Sequence, residues 1–496
     1  MLRGEIGDSG LSTYQGYLLA DVPIASPPFR GELGVVVLAL LARLLSEDVP
    51  MAFLIADFLL PTLLAIAILG LAWVLTGSTS MSVLATSAFI WFNWQDVLNL
   101  VHILSGDTPG GELFLRTPYP QFSELLFVLF LISILLLLRR QSRIVLIFFS
   151  LTLTANLYDY FYSWTLAMSI VFCWIVILAT PQGRKFGAAG RDPRQLFLEV
   201  TGATAVAILL AAPVLLIILD SSATTLDLFE RAGGKFSRAP EIKHGLFVVA
   251  VLLCAVSARR LPAENRLMWI LFWSGLLIAL NQQLFTGKLL QPFHYIGYYE
   301  QPFFLLFACD IAYHYLGVWN SKGRSRIKGA VVSRCAKIVL VVGVGQALFR
   351  LNAAAMAEVD HDMFSSELNE VTKMLNETAM RGYGFITNDP YLDSVLPVYV
   401  PQKPLDPLHT DALSNKMILD IRCGLAKIFG IETWDEIDRR PLARDCTKMR
   451  PSNVRFDPSR IVIVQNVHRK ARASGILTKT VLRNRDFELL VLENSD

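Results

Sequence analysis

Long apolar runs separated by short polar connections make up most of the chain as far as about residue 350. A helix that crosses a bilayer needs about 20 mostly apolar residues, and about ten segments approach that requirement. These segments lie at 52–76, 81–103, 122–139, 143–158, 161–180, 196–220, 244–258, 266–285, 301–318 and 330–350. The pattern therefore predicts an α-helical polytopic membrane protein with about ten transmembrane helices.

The positive charges between these runs predict the orientation in the membrane. Lys and Arg cluster in every second connection, and cytoplasmic loops carry such an excess. The loops assigned to the cytoplasm contain Arg139, Arg140, Arg143, Arg184, Lys185, Arg191, Arg194, Arg259, Arg260, Arg266, Lys322, Arg324, Arg326 and Lys328. Both termini and the loops at 104–121, 221–243 and 286–300 then lie on the outer face.

The composition changes near residue 352. Of all 496 residues 53% are hydrophobic and 18% are charged, but the charged side chains are concentrated in the last segment. There, helical stretches such as 410–429 alternate with short β-like runs, which predicts a small soluble α/β domain. The β-like runs lie at 383–390, 396–400, 460–466 and 487–492.

The first 50 residues combine a polar tail with one short apolar stretch. Residues 34–45 are too short to span and carry Arg43, which favours a helix along the outer membrane interface. Either the short tail is translocated unaided, or a first transmembrane helix is missing from this chain. The expected organisation is an outer-face segment at 1–50, a transmembrane domain at 51–351 and a soluble extracytoplasmic domain at 352–496.

Several classes of function receive no support from the sequence. A net charge of +3, with the basic residues spread among loops, indicates no nucleic-acid partner. Nucleotide-binding and zinc-protease motifs are absent, and the six cysteines show no metal-ligand spacing, so no metal site is evident. Cys423 and Cys446 lie in polar sequence, and the sequence does not decide whether they form a disulfide or remain two free thiols.

Functional side chains are concentrated in one predicted outer turn, NQQLFTGKLLQPFHYIGYYEQP at 281–302. This stretch contains Lys288, His294, Tyr295 and Glu300. One interpretation is an aromatic belt at the level of the lipid headgroups. The other is a site in which the lysine binds phosphate and the histidine bonds or transfers a proton.

Two further outer stretches offer candidate ligands. LYDYFYSW at 157–164 places Asp159 among aromatic side chains; a tight interfacial hairpin explains the aromatics, but the carboxylate suggests a ligand. Arg116 lies in a proline-containing loop, where it is a candidate phosphate clamp or a solvated surface residue.

Three carboxylates, Asp57, Asp96 and Asp310, fall within the apolar segments. A carboxylate in lipid is costly unless it is paired or faces a cavity, so each is a candidate. His314 follows Asp310 by four residues and shares its helix face. The sequence allows two interpretations of this pair, a structural ion pair and part of a proton path.

The N-terminal stretch completes a pattern with a known parallel. The predicted architecture resembles the GT-C superfamily of polytopic glycosyltransferases, specifically its bacterial envelope members. The shared features are an acidic outer stretch with an aromatic soon after (Asp8 with Tyr14), an interfacial helix, many transmembrane helices and an outer C-terminal domain. The resemblance covers nearly the whole chain, although the helix that usually precedes the acidic loop is lacking. It implies a bacterial inner-membrane protein whose partners are membrane lipids, a lipid-linked sugar and envelope-assembly proteins.

The resemblance also implies a reaction, the transfer of a sugar from a polyprenyl-phosphate donor to an envelope acceptor. Asp8, with Glu5 second, would remove the proton of the acceptor hydroxyl. Arg116 or Lys288 would stabilise the departing polyprenyl phosphate, and His294, Tyr295 and Glu300 would position the sugar or acceptor. Two alternatives remain: a transporter or lipid flippase that uses Asp57, Asp96 and Asp310, and a non-catalytic envelope scaffold.

Overall fold

The computed structural model describes a set of ranges that together are mostly helical. These ranges are 32–45, 49–91, 121–140, 142–180, 192–220, 235–289, 292–318, 366–375, 384–387, 403–404, 461–466 and 478–492. The helices of the N-terminal part are α1 (Glu32–Leu44), α2 (Val49–Thr76), α3 (Thr79–Trp91), α4 (Gln121–Arg139), α5 (Arg143–Leu157), α6 (Phe161–Ala179), α7 (Pro193–Leu210), α8 (Ala212–Asp220), α9 (Ile242–Ser257), α10 (Ala263–Leu280), α11 (Gln283–Thr286), α12 (Pro292–Tyr295) and α13 (Gln301–Val318).

Within the described ranges, four helical segments are long and apolar enough to cross a membrane. They are Leu54–Thr76, Gln121–Arg139, Phe161–Ala179 and Ala263–Thr286. Shorter apolar helices lie at Thr79–Ile90, Arg143–Leu157 and Ile242–Ser257. Together these segments support a membrane protein, while the total of ten crossings stays a prediction.

The structure refines three of the predicted segments. The run at 196–220 forms two helices, α7 and α8, which meet at Ala211. The first part of the run at 81–103 lies in α3, and its residues after Trp91 lie outside the described ranges. The whole run at 330–350 also lies outside them. The short stretch at 34–45 is helical, as α1, and its Leu38 packs in one cluster with Leu60 of α2.

Large aromatic side chains fill the centre of the helix bundle. The fully buried ones include Trp174, Trp269, Trp273, Phe127, Phe130, Phe149, Phe272 and Phe303. The outside of the bundle exposes apolar side chains instead, among them Phe58, Trp73 and Phe172. A soluble protein rarely exposes so many, and a lipid environment explains them.

A close helix crossing joins α6 and α10. A Cβ atom built on Gly275 would lie 2.6 Å from Cγ1 of Ile170 and 2.9 Å from its backbone nitrogen. Small residues let membrane helices approach in this way, and dispersion contacts then hold them together. Gly275 therefore sets the spacing of these two helices.

The C-terminal part contains a five-stranded mixed sheet. Its strands are β3 (Gly384–Thr387), β4 (Lys403–Pro404), β5 (Ile461–Asn466), β6 (Thr478–Arg483) and β7 (Phe487–Leu492), in the order β4-β3-β5-β7-β6. Strand β3 is parallel to β4 and β5, and β7 is antiparallel to β5 and β6. Helix α14 (Ser366–Leu375) contacts β7.

The sequence predicted three of these strands. The runs at 383–390, 460–466 and 487–492 form β3, β5 and β7. Strands β4 and β6 were not predicted; TKTVLR, the sequence of β6, has one apolar pair and shows no period-two alternation. The run at 396–400, the helical stretch at 410–429 and both Cys423 and Cys446 lie outside the described residues.

Candidate functional site at the predicted outer end of the bundle

Several of the described helices have an end at the same end of the bundle, because successive helices run in opposite directions. Helices α4, α6 and α9 begin there, α5 and α10 end there, and α12 leads there into α13. The positive-inside pattern predicts that this end faces outward.

The polar start of the 281–302 stretch holds the preceding loop in place. The amide oxygen of Asn281 accepts a hydrogen bond of 2.9 Å from the backbone N–H of Glu241, and Gln283 donates one of 3.1 Å to the carbonyl of Ala239. A two-residue ribbon, β1 (Lys235–Phe236) against β2 (Lys288–Leu289), adds a second link. These contacts fix the start of α9 against the end of α10.

A π-helical turn, Ile296–Glu300, lies between α12 and α13. Such turns are rare and occur often at functional sites. Tyr295, Tyr299 and Glu300 are all buried around this turn. The wider turn thus brings two phenols and one carboxyl group into the interior of the bundle end.

Glu300 forms a close pair with His244, which lies in the first turn of α9. Oε1 of Glu300 is 3.0 Å from Nδ1 of His244, and the side chains are 1% and 16% exposed respectively. The second carboxylate oxygen of Glu300, Oε2, has no hydrogen-bond partner within the described ranges. Burial raises the pKa of Glu300, and the hydrogen bond to His244 opposes that shift.

His294 connects the π-helical region to the turn between α5 and α6. Its Nδ1 is 3.0 Å from the hydroxyl oxygen of Tyr160, and its ring stacks on Tyr162 with the centroids 4.4 Å apart. The predicted sites at 157–164 and 281–302 are therefore parts of one cluster.

Two buried phenols make further links to α6. The hydroxyl oxygen of Tyr295 is 2.6 Å from Oγ1 of Thr165, and that of Tyr299 is 2.8 Å from Oγ of Ser163. Burial raises the pKa of both phenols, so each stays a neutral hydrogen-bonding group.

Two acidic side chains border this cluster. Asp159 is buried in the turn between α5 and α6, where its backbone N–H bonds to the carbonyl of Asn156. Glu124, in the first turn of α4, is fully buried and interacts with the hydroxyl of Tyr299.

Sequence reasoning missed His244 and Glu124. In EIKHG, at 241–245, the histidine precedes an apolar run by one residue, and in QFSELL, at 121–126, the acid interrupts the start of another run. A polar residue at the first turn of an apolar helix is the signal that identifies both.

Asp310 belongs to a different cluster, where α2 ends and α10 begins. Its Oδ2 accepts a hydrogen bond of 2.8 Å from the indole of Trp269, and Asn265 donates to its carboxylate. The predicted partner His314 is confirmed, with Nε2 3.3 Å from Oδ1 of Asp310. Arg139 in turn donates a hydrogen bond of 2.6 Å to the amide oxygen of Asn265.

The remaining predicted site residues are only partly described. Lys288 lies in β2 and Asp57 lies in α2, with their side chains outside the description. Glu5, Asp8, Asp96 and Arg116 lie outside the described residues altogether.

No protein-family model matches the chain, and no curated protein matches it. Within the described ranges, no group of three or more His, Cys, Asp or Glu side chains is placed to hold a metal ion. Fold and site together define a helical membrane protein with a cluster of buried Glu and Tyr and partly buried His side chains at one end of its bundle.

Proposed function

We propose that the protein is a glycosyltransferase that moves a sugar from a polyprenyl-phosphate donor to a cell-envelope acceptor. The observation that carries this proposal is the convergence of the His244–Glu300 pair and the His294–Tyr160–Tyr162 group at one end of an apolar bundle. A lipid-linked donor needs polar contacts for its head at the edge of a bilayer, where its chain remains in lipid.

The cluster offers groups suited to each part of such a substrate. The faces of Tyr162 and His294 suit stacking against a sugar ring, and the carboxylate of Glu300 suits a sugar hydroxyl. Arg116 or Lys288 would supply the positive charge for the departing phosphate. The resemblance to GT-C enzymes assigns the proton acceptor to Asp8.

The finer features of the architecture belong to the same proposal. We propose about ten membrane crossings, a location in the bacterial inner membrane and an extracytoplasmic C-terminal α/β domain. Membrane lipids and envelope-assembly proteins are the proposed partners.

The transporter alternative depends on carboxylates inside the membrane. Of Asp57, Asp96 and Asp310, only the last has a side chain within the described residues, and it is engaged by Trp269, Asn265 and His314. A carboxylate held by so many fixed donors is suited to structure rather than to repeated protonation. This observation favours transfer over transport.

Mass spectrometry of polyprenyl-phosphate lipids tests the proposal. Cells that lack the protein should accumulate one glycosylated carrier, and wild-type protein should clear it. If Asp8 is the proton acceptor that the GT-C resemblance implies, Asp8→Asn should fail to clear the carrier. Asp310→Asn should clear it. An unchanged lipid pool in the deletion strain would contradict sugar transfer.

A further inference from the structure

The described part of the chain contains two pairs of histidine and carboxylate with nearly the same geometry. His244 and Glu300 are 3.0 Å apart, with side chains 16% and 1% exposed. His314 and Asp310 are 3.3 Å apart, with side chains 18% and 1% exposed. The two pairs differ in their surroundings, and that difference separates a chemical role from a structural one.

The carboxylate of Asp310 is occupied by additional donors, whereas that of Glu300 is not. Trp269 and Asn265 both donate to Asp310, and His314 also lies 3.3 Å from the carbonyl of Leu75 at the end of α2. Oε2 of Glu300, by contrast, is buried with no hydrogen-bond partner in the described part of the chain. A buried oxygen in this state retains capacity for a proton or a ligand hydroxyl.

We propose that His244 is the group that takes the proton of the acceptor hydroxyl, and that Glu300 orients it for this task. The inference rests on the proposed sugar transfer and assigns to His244 the step that the sequence resemblance gives to Asp8.

The hydrogen-bond geometry suits this role. When Nδ1 of His244 donates its proton to Oε1 of Glu300, the lone pair of the imidazole is on Nε2. A buried carboxylate on one imidazole nitrogen selects this tautomer and stabilises the imidazolium that forms when Nε2 takes a proton. Glu300 is thus a positioning residue, and His244 is the group that would touch the acceptor.

The backbone around His244 is held firmly enough for such a role. Asn281 accepts the N–H of Glu241, and its Nδ2 would lie 3.7 Å from a Cβ built on Gly245. The hydrogen bond ties the residue before α9 to Asn281, and the amide of Asn281 also lies close to Gly245, on the other side of His244. A catalytic imidazole requires this kind of support, because small displacements reduce rates strongly.

Charged side chains near the pair act on Glu300 as well. Glu241 and Lys243, both at the start of α9, act on Glu300 in opposite directions: the first raises its pKa and the second lowers it. Glu124 acts on Tyr299, the neighbour of Glu300 in the π-helical turn. Burial raises the pKa of Glu300 itself, and the hydrogen bond from His244 opposes that shift.

The step balances as follows. The acceptor oxygen forms a bond to the anomeric carbon, and its proton passes to Nε2 of His244. The bond between the anomeric carbon and the phosphate oxygen breaks, and its electron pair leaves with the polyprenyl phosphate. The imidazolium then returns its proton to water. No oxidant, reductant or further reactant is needed.

The test compares His244→Gln with the matched variant His314→Gln, each in the full-length chain in the deletion strain. Removal of a general base typically lowers a rate by about 10²–10⁴-fold. We therefore expect His244→Gln to leave the glycosylated carrier uncleared, while His314→Gln clears it. Protein level and thermal unfolding in detergent establish that both variants fold.

A pH profile of the purified protein in liposomes separates positioning from mere structure. Glu300→Gln removes the negative charge that stabilises the imidazolium, so the acidic limb of the rate should shift to lower pH. Glu300→Asp keeps the negative charge, so it should retain part of the wild-type rate and shift the acidic limb less than Glu300→Gln does. A profile that keeps its acidic limb unchanged in Glu300→Gln would overturn the assignment.

The two proposals fail in different ways. If the deletion strain accumulates no glycosylated carrier, sugar transfer fails and the role of His244 falls with it. If the carrier accumulates but His244→Gln clears it like wild type, only the role of His244 is wrong, and Asp8 becomes the first candidate again.

Discussion

The indole Nε1 of Trp269 donates a hydrogen bond of 2.8 Å to Oδ2 of Asp310, and both side chains are buried inside the bundle. Asn265 bonds to the same carboxylate and to the carbonyl of Leu75 at the end of α2. The carboxylate therefore joins α10 and α13, and through Asn265 it also reaches α2. Its role follows from these partners, which distinguishes it from Glu300 at the opposite end.

Asp310→Ala should destabilise the protein by about 1–3 kcal/mol, because buried donors on Trp269 and Asn265 lose their acceptor. Asp310→Asn keeps one acceptor oxygen and should cost less. Thermal unfolding in detergent measures both. Equal stability of Asp310→Ala and wild type would show that the cluster contributes nothing to the fold.

Gly275→Ala should destabilise the contact between α6 and α10. The added methyl would lie 2.6 Å from the side chain and 2.9 Å from the backbone of Ile170, so the helices must move apart. Overpacking of this kind costs typically about 1–3 kcal/mol. Gly202→Ala is the matched control, since a Cβ there meets nothing within 4 Å. A similar unfolding temperature for both variants would contradict the close crossing.

The hydrogen bond between Tyr295 and Thr165 should show coupling in a double-mutant cycle. Tyr295→Phe and Thr165→Val each remove one side of a 2.6 Å contact at the predicted outer end. Residues in contact show interaction energies of about 0.5–3 kcal/mol, so the double variant should cost less than the two single ones together. If the effects of the two substitutions on the free energy of unfolding are additive, the two hydroxyl groups do not interact.

Glu300 should make stability depend on pH with a definite sign. Because burial raises its pKa above the ordinary 4.5, the folded state holds a proton that the unfolded state has already lost. The contribution of Glu300 is therefore fully present below pH 4.5 and is lost as the pH rises through the folded value.

The measurement compares His244→Gln with the double variant His244→Gln/Glu300→Gln, so that the histidine does not contribute. The stability advantage of the protein that retains Glu300 should shrink from pH 4.5 upward. An advantage that grows with pH would mean that the pKa of Glu300 is lowered, and the carboxyl group would then be held as an anion.

Composition and hydrophobic pattern predicted the helical class and most helix positions. Apolar runs near 20 residues give helices in lipid because every backbone group must bond within its own segment, whatever the neighbours are. Helices α2, α4, α6 and α10 follow the runs in the sequence within a few residues. Strands β3, β5 and β7 were likewise predicted from their β-branched and aromatic residues.

Pairings across the bundle were beyond the reach of the sequence. His244 is 56 positions from Glu300, and Tyr160 is 134 from His294. Periodicity specifies which face of a helix is apolar, but it does not specify which other helix that face meets. The sequence identified His294, Tyr295, Glu300 and Asp159 as polar groups in turns that it predicted to be outer ones, and it could not identify their partners.

By itself, then, the sequence determined that this chain forms apolar helices and which of the connecting turns are rich in polar and aromatic side chains, because both depend on local composition and on the solvent. Only the tertiary structure decided that Asp310 is held by donors on its own and a neighbouring helix, while Glu300 meets a histidine and has one oxygen without a hydrogen-bond partner among the described residues. The physical reason is that the chemistry of a buried carboxylate is set by the atoms packed around it, and those atoms come from distant parts of the chain.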